Sequence, residues 1–193
     1  MPFKRRSSAF AWEEQAARGE EFVATVSVRT LCRYPTRMLR SANASGIFVV
    51  RRHKTMLAVL GSPRIWFNVL TQRSNRIAGM VHPQAYTAIE NVAMSVPTNP
   101  QTSQSFTTIT WSVRRFLENV QRSTFFDPLN INGVVIAVLR YARPYALMIP
   151  ASVLAWFWNE TAPTNSNRAE WVDELIEFAR QLDAGSDVHT ASV

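Results

Sequence analysis

From Gly61 onward the apolar residues recur mostly at helical spacing, and this periodicity constrains the fold more than any other feature of the chain. Residues 105–122 place Phe106, Ile109, Val113, Phe116, Leu117 and Val120 on one face, the three-and-four alternation of a buried helical stripe. A shorter periodic stretch through Ala85, Ile89, Val92, Ala93 and Val96 precedes it, joined by the turn-rich residues 97–103. Val135, Val138, Leu139, Ala142 and Ala146 form another stripe, interrupted by Arg140 and Arg143. A last helix is marked at both ends: Asn167 and Glu170 have capping-box spacing, and Gly185 stands where a helix would stop.

The first third is more strand-like. Residues 22–28 and 46–50 are β-branched and aromatic, so helix and strand readings compete there. Six glycines in 193 residues, and few of the Asn-Gly or Asp-Gly turns of a many-stranded sandwich, put a β jelly roll second. The expectation is a mainly α protein: a helical bundle core with a small extended element and a flexible N-terminal arm. Residues 1–20 form the basic arm and lead-in, 21–185 a single helical core domain, and 186–193 a flexible tail. No internal repeat is visible.

Charge narrows the function. The chain carries 21 basic against 14 acidic residues, and all but Lys4 and Lys54 of the basic ones are arginine. Arginine's planar, always-charged fork grips phosphate and stacks on bases; arginine-favouring codons give the same bias without a nucleic-acid partner. Between Glu21 and Glu90 no acidic residue occurs, whereas residues 160–193 carry seven acids against Arg168 and Arg180. The basic part suits a polyanion, and the acidic end suits a neighbour's basic part.

Catalytic signatures are missing: there is no glycine-rich phosphate loop, no nucleophile elbow and no histidine with an evident carboxylate partner. With one cysteine, Cys32, and only His53, His82 and His189, neither a disulfide framework nor the common cysteine–histidine zinc sites can be assembled. The expectation is a non-enzyme without cofactor or metal. Cys32 beside Arg33 has a lowered thiol pKa on one reading and is a small buried filler on the favoured one. The apolar stretches are too short or too polar to span a membrane.

The candidate RNA-binding residues are Arg51, Arg52, Lys54, Arg64, Arg73 and Arg76, with Arg114 and Arg115 beside the stripe of residues 105–122 and the Lys4-Arg5-Arg6 arm in support. Trp66 and Phe67 are available to stack bases, although their neighbours Ile65, Val69 and Leu70 favour a core position. Arg140 and Arg143 lie in an apolar stretch and need a partner if buried; Asp183 and Glu177 on the last helix are the natural ones, and snorkelling to the surface is the alternative.

Three segments carry a resemblance: Asp127-Pro-Leu-Asn-Ile-Asn-Gly, then Leu139-Arg-Tyr-Ala-Arg-Pro-Tyr-Ala, then Glu177-Phe-Ala-Arg-Gln-Leu-Asp. Together they resemble the coat proteins of flexuous filamentous plant RNA viruses, with Tyr141-Ala142 and Phe178-Ala179 in the aromatic-alanine places. The resemblance implies a helical core with extended arms, a salt bridge between Arg140 and Asp183, and the task of coating single-stranded RNA. The size and basic start are also similar to small capsid proteins of icosahedral or bacilliform RNA viruses, which implies a jelly roll.

The functional expectation is therefore a coat or nucleocapsid protein of a plant or fungal positive-strand RNA virus. It would self-assemble as a homo-oligomer, package single-stranded RNA, and reside in the virion and the host cytoplasm. Aromatics near Phe10, Trp12, Trp156 and Trp158 would make subunit contacts or be buried within the subunit. The alternative is a small RNA-binding regulator, such as a viral suppressor of host RNA defence; a membrane-associated movement protein ranks last.

Overall fold

The runs beginning at Gly46 and Gly133 are apolar without alternation, as strands covered on both faces are. In a computed structural model, which describes residues 10–74, 82–97, 106–127 and 131–187, each becomes the first strand of a hairpin, flanked by a strand on either side. In chain order the elements are α1 (Ala11–Ala17), β1 (Phe22–Ser27), α2 (Val28–Arg33), α3 (Pro35–Ala44), β2 (Gly46–Arg52), β3 (Thr55–Gly61), α4 (Pro63–Arg73) and α5 (Pro83–Met94). Then follow β4 (Thr107–Ser112), α6 (Val113–Val120), a 3-10 turn (Ser123–Phe126), β5 (Val134–Arg140), β6 (Arg143–Pro150), α7 (Ala151–Glu160) and α8 (Glu170–Asp187).

The strands form one six-stranded mixed sheet in the order β1-β2-β3-β6-β5-β4. The outer pairs β1·β2 and β4·β5 are parallel and the inner pairs antiparallel. Helices cover both faces. Along β2, Ile47 and Val49 face the core with α4, α5, α7 and α8, while Phe48 and Val50 face the core with α1, α3 and α6. Trp66, fully buried, fastens α4 to β6 by donating from Nε1 to the Leu147 carbonyl at 2.8 Å.

The mainly α expectation is thus overturned, and the jelly roll with it: the protein is an α/β fold with helices on both faces of a mixed sheet. Residues 105–122 are not one helix, since Thr107–Ser112 is strand and only Val113–Val120 is helical. The stripe through Val135 and Ala146 is the β5–β6 hairpin. Gly185 lies inside α8, next to Pro144, and does not end it. Asn167 lies ahead of the helix, its N–H bonded to Asn165 Oδ1. In the lead-in, Ala11–Ala17 is helical and Trp12 is buried against Phe22 and Phe48.

The structure also carries a repeat that the sequence hides. Gly46–Arg52 and Thr55–Gly61 match Val134–Arg140 and the first seven residues of β6, and 134 less 46 and 143 less 55 both give 88. The break in register between Val50 and Arg51 recurs between Val138 and Leu139. Leu60 and Met148, themselves 88 apart, are partners across the β3·β6 seam, so a local two-fold axis passes between them, perpendicular to the sheet. The outer strands repeat too: β1 leads into α2 through Ser27, and β4 into α6 through Ser112. Each serine accepts a bond from the N–H three residues on, Thr30 and Arg115, a cap worth about 1 kcal/mol. The halves are interlocked, because α4 packs on α8 and α5 on α7.

Candidate nucleic-acid interface

The two-fold axis sends the two hairpin turns to opposite ends of the sheet. From Leu60 to His53, and from Met148 to Tyr141, is seven residues, so the turns stand about 45 Å apart along the strands. Each end gathers the same parts: the carboxyl ends of two parallel strands, a serine-capped helix start and a two-residue turn with left-handed backbone. At the first end Ser27 is level with Arg51, and Arg29, Arg51, His53 and Lys54 are exposed. At the second end Ser112 is level with Leu139, and Arg114, Arg115, Arg140, Tyr141 and Arg143 are exposed. Among the described residues, no carboxylate pairs with Arg29, Arg51, Lys54, Arg140 or Arg143.

The residues singled out from the sequence therefore divide. Arg51, Arg52 and Lys54 meet at the first turn. Arg52 is half-buried, and its charge acts on the Cys32 thiol. Arg64 is exposed at the start of α4, which follows the carboxyl end of β3, and Arg114 and Arg115 lie at the second end. Arg114 is paired with Glu118 at 2.8 Å, and Arg115 lies over the Trp111 ring, 5.6 Å from its centre. Arg73 is occupied internally: it donates to the Trp158 carbonyl at 3.1 Å and to Thr161 Oγ1 at 3.3 Å, with its guanidinium over the Trp158 ring. Arg76 and the Lys4-Arg5-Arg6 arm lie outside the described residues.

Arg140 and Arg143 were read from the sequence as embedded in an apolar stretch; both are exposed at the second turn. The Arg140 guanidinium is accounted for by aromatic contact, 5.5 Å from the centre of the Tyr141 ring and 5.6 Å from that of Tyr145. Asp183, its expected partner, is on α8, whose neighbour Leu182 joins the core on the opposite face from Tyr145. Trp66 is core; Phe67 is half-buried beside it. Trp12 and Trp158 are buried within the subunit, and Trp156 is half-buried.

Cys32 is a filler. Its Sγ donates to the Val120 carbonyl at 3.0 Å, and burial pushes the thiol pKa up against the weaker opposing pull of Arg52. Among the described residues, no three His, Cys, Asp or Glu side chains are placed to hold a metal ion, and no helix is long and apolar enough to cross a membrane. What the sequence missed was Tyr141 as an exposed ring and the equivalence of the ends. The available signal was Ser27-Val28-Arg29 recurring as Ser112-Val113-Arg114, with Gly46 and Gly133 opening the following apolar runs.

No known protein family, curated protein or solved structure matches the chain.

Proposed function

Taking unpaired cations at both ends of a rigid sheet as the starting point, we propose that the protein binds single-stranded RNA and serves as a non-enzymatic coat or nucleocapsid protein. The observation that carries the RNA reading is the repetition: one βαββ unit, used twice, exposes cations at both turns although the two turn sequences differ, Arg51 and Lys54 at the first and Arg140 and Arg143 at the second. Fixed cations at this spacing would bind phosphates at two places along one strand and release counterions from both.

The assembly part rests on β4. Among the described residues no strand pairs with its outer edge, and Thr107-Thr-Ile-Thr-Trp-Ser112 contains none of the lysines or prolines that guard an edge against pairing with another chain. Its counterpart β1 is covered by α1, with Trp12 on Phe22. The helical and jelly-roll folds implied by the viral resemblances are not the fold observed, so they lend the coat role no support. A regulator would use the same ends without assembling.

The test is purification of the full chain with and without single-stranded RNA at low and high salt, followed by negative-stain microscopy and absorbance for retained nucleic acid. Salt-sensitive particles are the expected result. A monomer or dimer that binds RNA would transfer the reading to the regulator. Absence of retained RNA at low salt would refute both.

A further inference from the structure

We propose that the cleft beside the second turn is a base-stacking site for single-stranded RNA, an inference that rests on RNA binding by the two ends and specifies what one of them recognises. The cleft has a volume of about 690 Å3 and is lined by Asn43, Arg140, Tyr141, Arg143, Pro144 and Tyr145.

Tyr141 is 88% exposed, and both it and Ala142 hold left-handed backbone, with φ of 51° and 61°. That pair of conformations is the one for which two-residue turns select Asn-Gly, because a Cβ is disfavoured there. A tyrosine and an alanine in those places serve neither the turn nor the core. They do place a ring in solvent, with the Arg140 guanidinium 5.5 Å from its centre and 5.6 Å from that of Tyr145. Arg143 stands across the hairpin from Arg140 in register. A ring with an open side, two cations and the amide of Asn43 together match one nucleotide: base on ring, phosphate on arginine, base edge on amide.

The other end supplies an internal comparison. With the same turn length and the same register break, it carries His53 for Tyr141, Lys54 for Ala142, Thr55 for Arg143, Met56 for Pro144 and Leu57 for Tyr145. Its cleft is apolar, lined by Met56, Leu57, Val96, Ile131 and Pro150 among others. Positive charge is present at both ends, but the tyrosine–arginine stack occurs at one. The second cleft also reaches α3 through Asn43.

The experiment uses the full chain, a twelve-nucleotide adenosine RNA with a central 2-aminopurine, and an abasic strand of equal length. Tyr141→Asn suits the left-handed backbone, so its melting temperature should equal or exceed the wild type's. It should bind the adenosine strand about tenfold more weakly, bind the abasic strand unchanged, and lose the 2-aminopurine quenching seen with wild type. Tyr141→Trp should restore both affinity and quenching. If Tyr141→Asn binds the adenosine strand as wild type does, the stacking site is refuted while RNA binding by the ends stands; if wild type binds neither strand, both fall. A free adenosine monophosphate that binds as tightly as the strand would also overturn the strand site.

Discussion

Replacing Arg73 with lysine keeps a positive charge at the end of α4 and removes the planar fork. In the structure that fork makes two hydrogen bonds, to the Trp158 carbonyl and Thr161 Oγ1, and lies 5.5 Å from the centre of the Trp158 ring. Each bond contributes about 1 kcal/mol in a half-buried setting, and the stacking about 0.5 kcal/mol. A lysine recovers one bond at most, so Arg73→Lys should cost about 1.5 kcal/mol and Arg73→Ala about 2.5 kcal/mol. For a chain of this length that is a fall in melting temperature of roughly 3–6 °C and 5–10 °C, respectively. Because the donors are used internally, neither change should alter the salt dependence of RNA binding; an arginine on phosphate would take about 0.7 from the slope of log affinity against log salt when removed. Thermal melts followed by circular dichroism, with fluorescence anisotropy on a single-stranded RNA across a salt series, measure both quantities. A wild-type melting temperature for Arg73→Lys, or a slope reduced by about 0.7 in Arg73→Ala, would show that the arginine is not a clamp between α4 and α7.

Trp66→Phe should lower unfolding free energy by about 2 kcal/mol in urea titrations, through the lost bond to the Leu147 carbonyl and the smaller buried ring. Gly46→Ala should cost about 2 kcal/mol or more by the same assay, because its Cβ would collide with the Phe22 ring, itself confined by Trp12 and Phe48; a wild-type midpoint would mean that Phe22 can move aside. The Glu177 carboxyl is held down to about 2, first by its hydrogen bond from Arg180 and then by that from Gln181. A folded pKa below the unfolded one stabilises above the ordinary carboxylate range, and this contribution is lost as pH falls from about 4.3 through about 2. Carboxyl carbon-13 titration should give that midpoint in wild type and a value near the ordinary range in Arg180→Gln.

The strands that announce themselves in the sequence are β1 and β2, where β-branched residues crowd into 22–28 and 46–50, and α5 follows its apolar spacing. The strands that do not are β4, β5 and β6. Ile109 of β4 and Val113, Phe116 and Val120 of α6 fit one helical stripe by spacing, although the chain changes from strand to helix at Ser112. β5 is buried on both faces, so it shows no alternation from which a period of two could be read. The same effect concealed part of the candidate interface. The cations at the first turn were legible because no acid lies between Glu21 and Glu90, whereas Arg140 and Arg143 looked embedded until the chain was seen to reverse between them. The internal bonds of Arg73 are not legible in the sequence, because charge, unlike a hydrogen bond, can be read without knowing what faces it.

The local two-fold axis at Leu60 and Met148 gives the molecule the outline of a homodimer without a homodimer's constraint. In two identical chains, any substitution that sharpens one site is imposed on its twin. Here the two copies are separately encoded while the shared sheet and interlocked helices keep them in fixed relation. One turn can therefore keep plain cations while the other takes on a tyrosine, and under the proposed RNA binding a polar strand would meet two unlike ends and hence have a direction in which to lie.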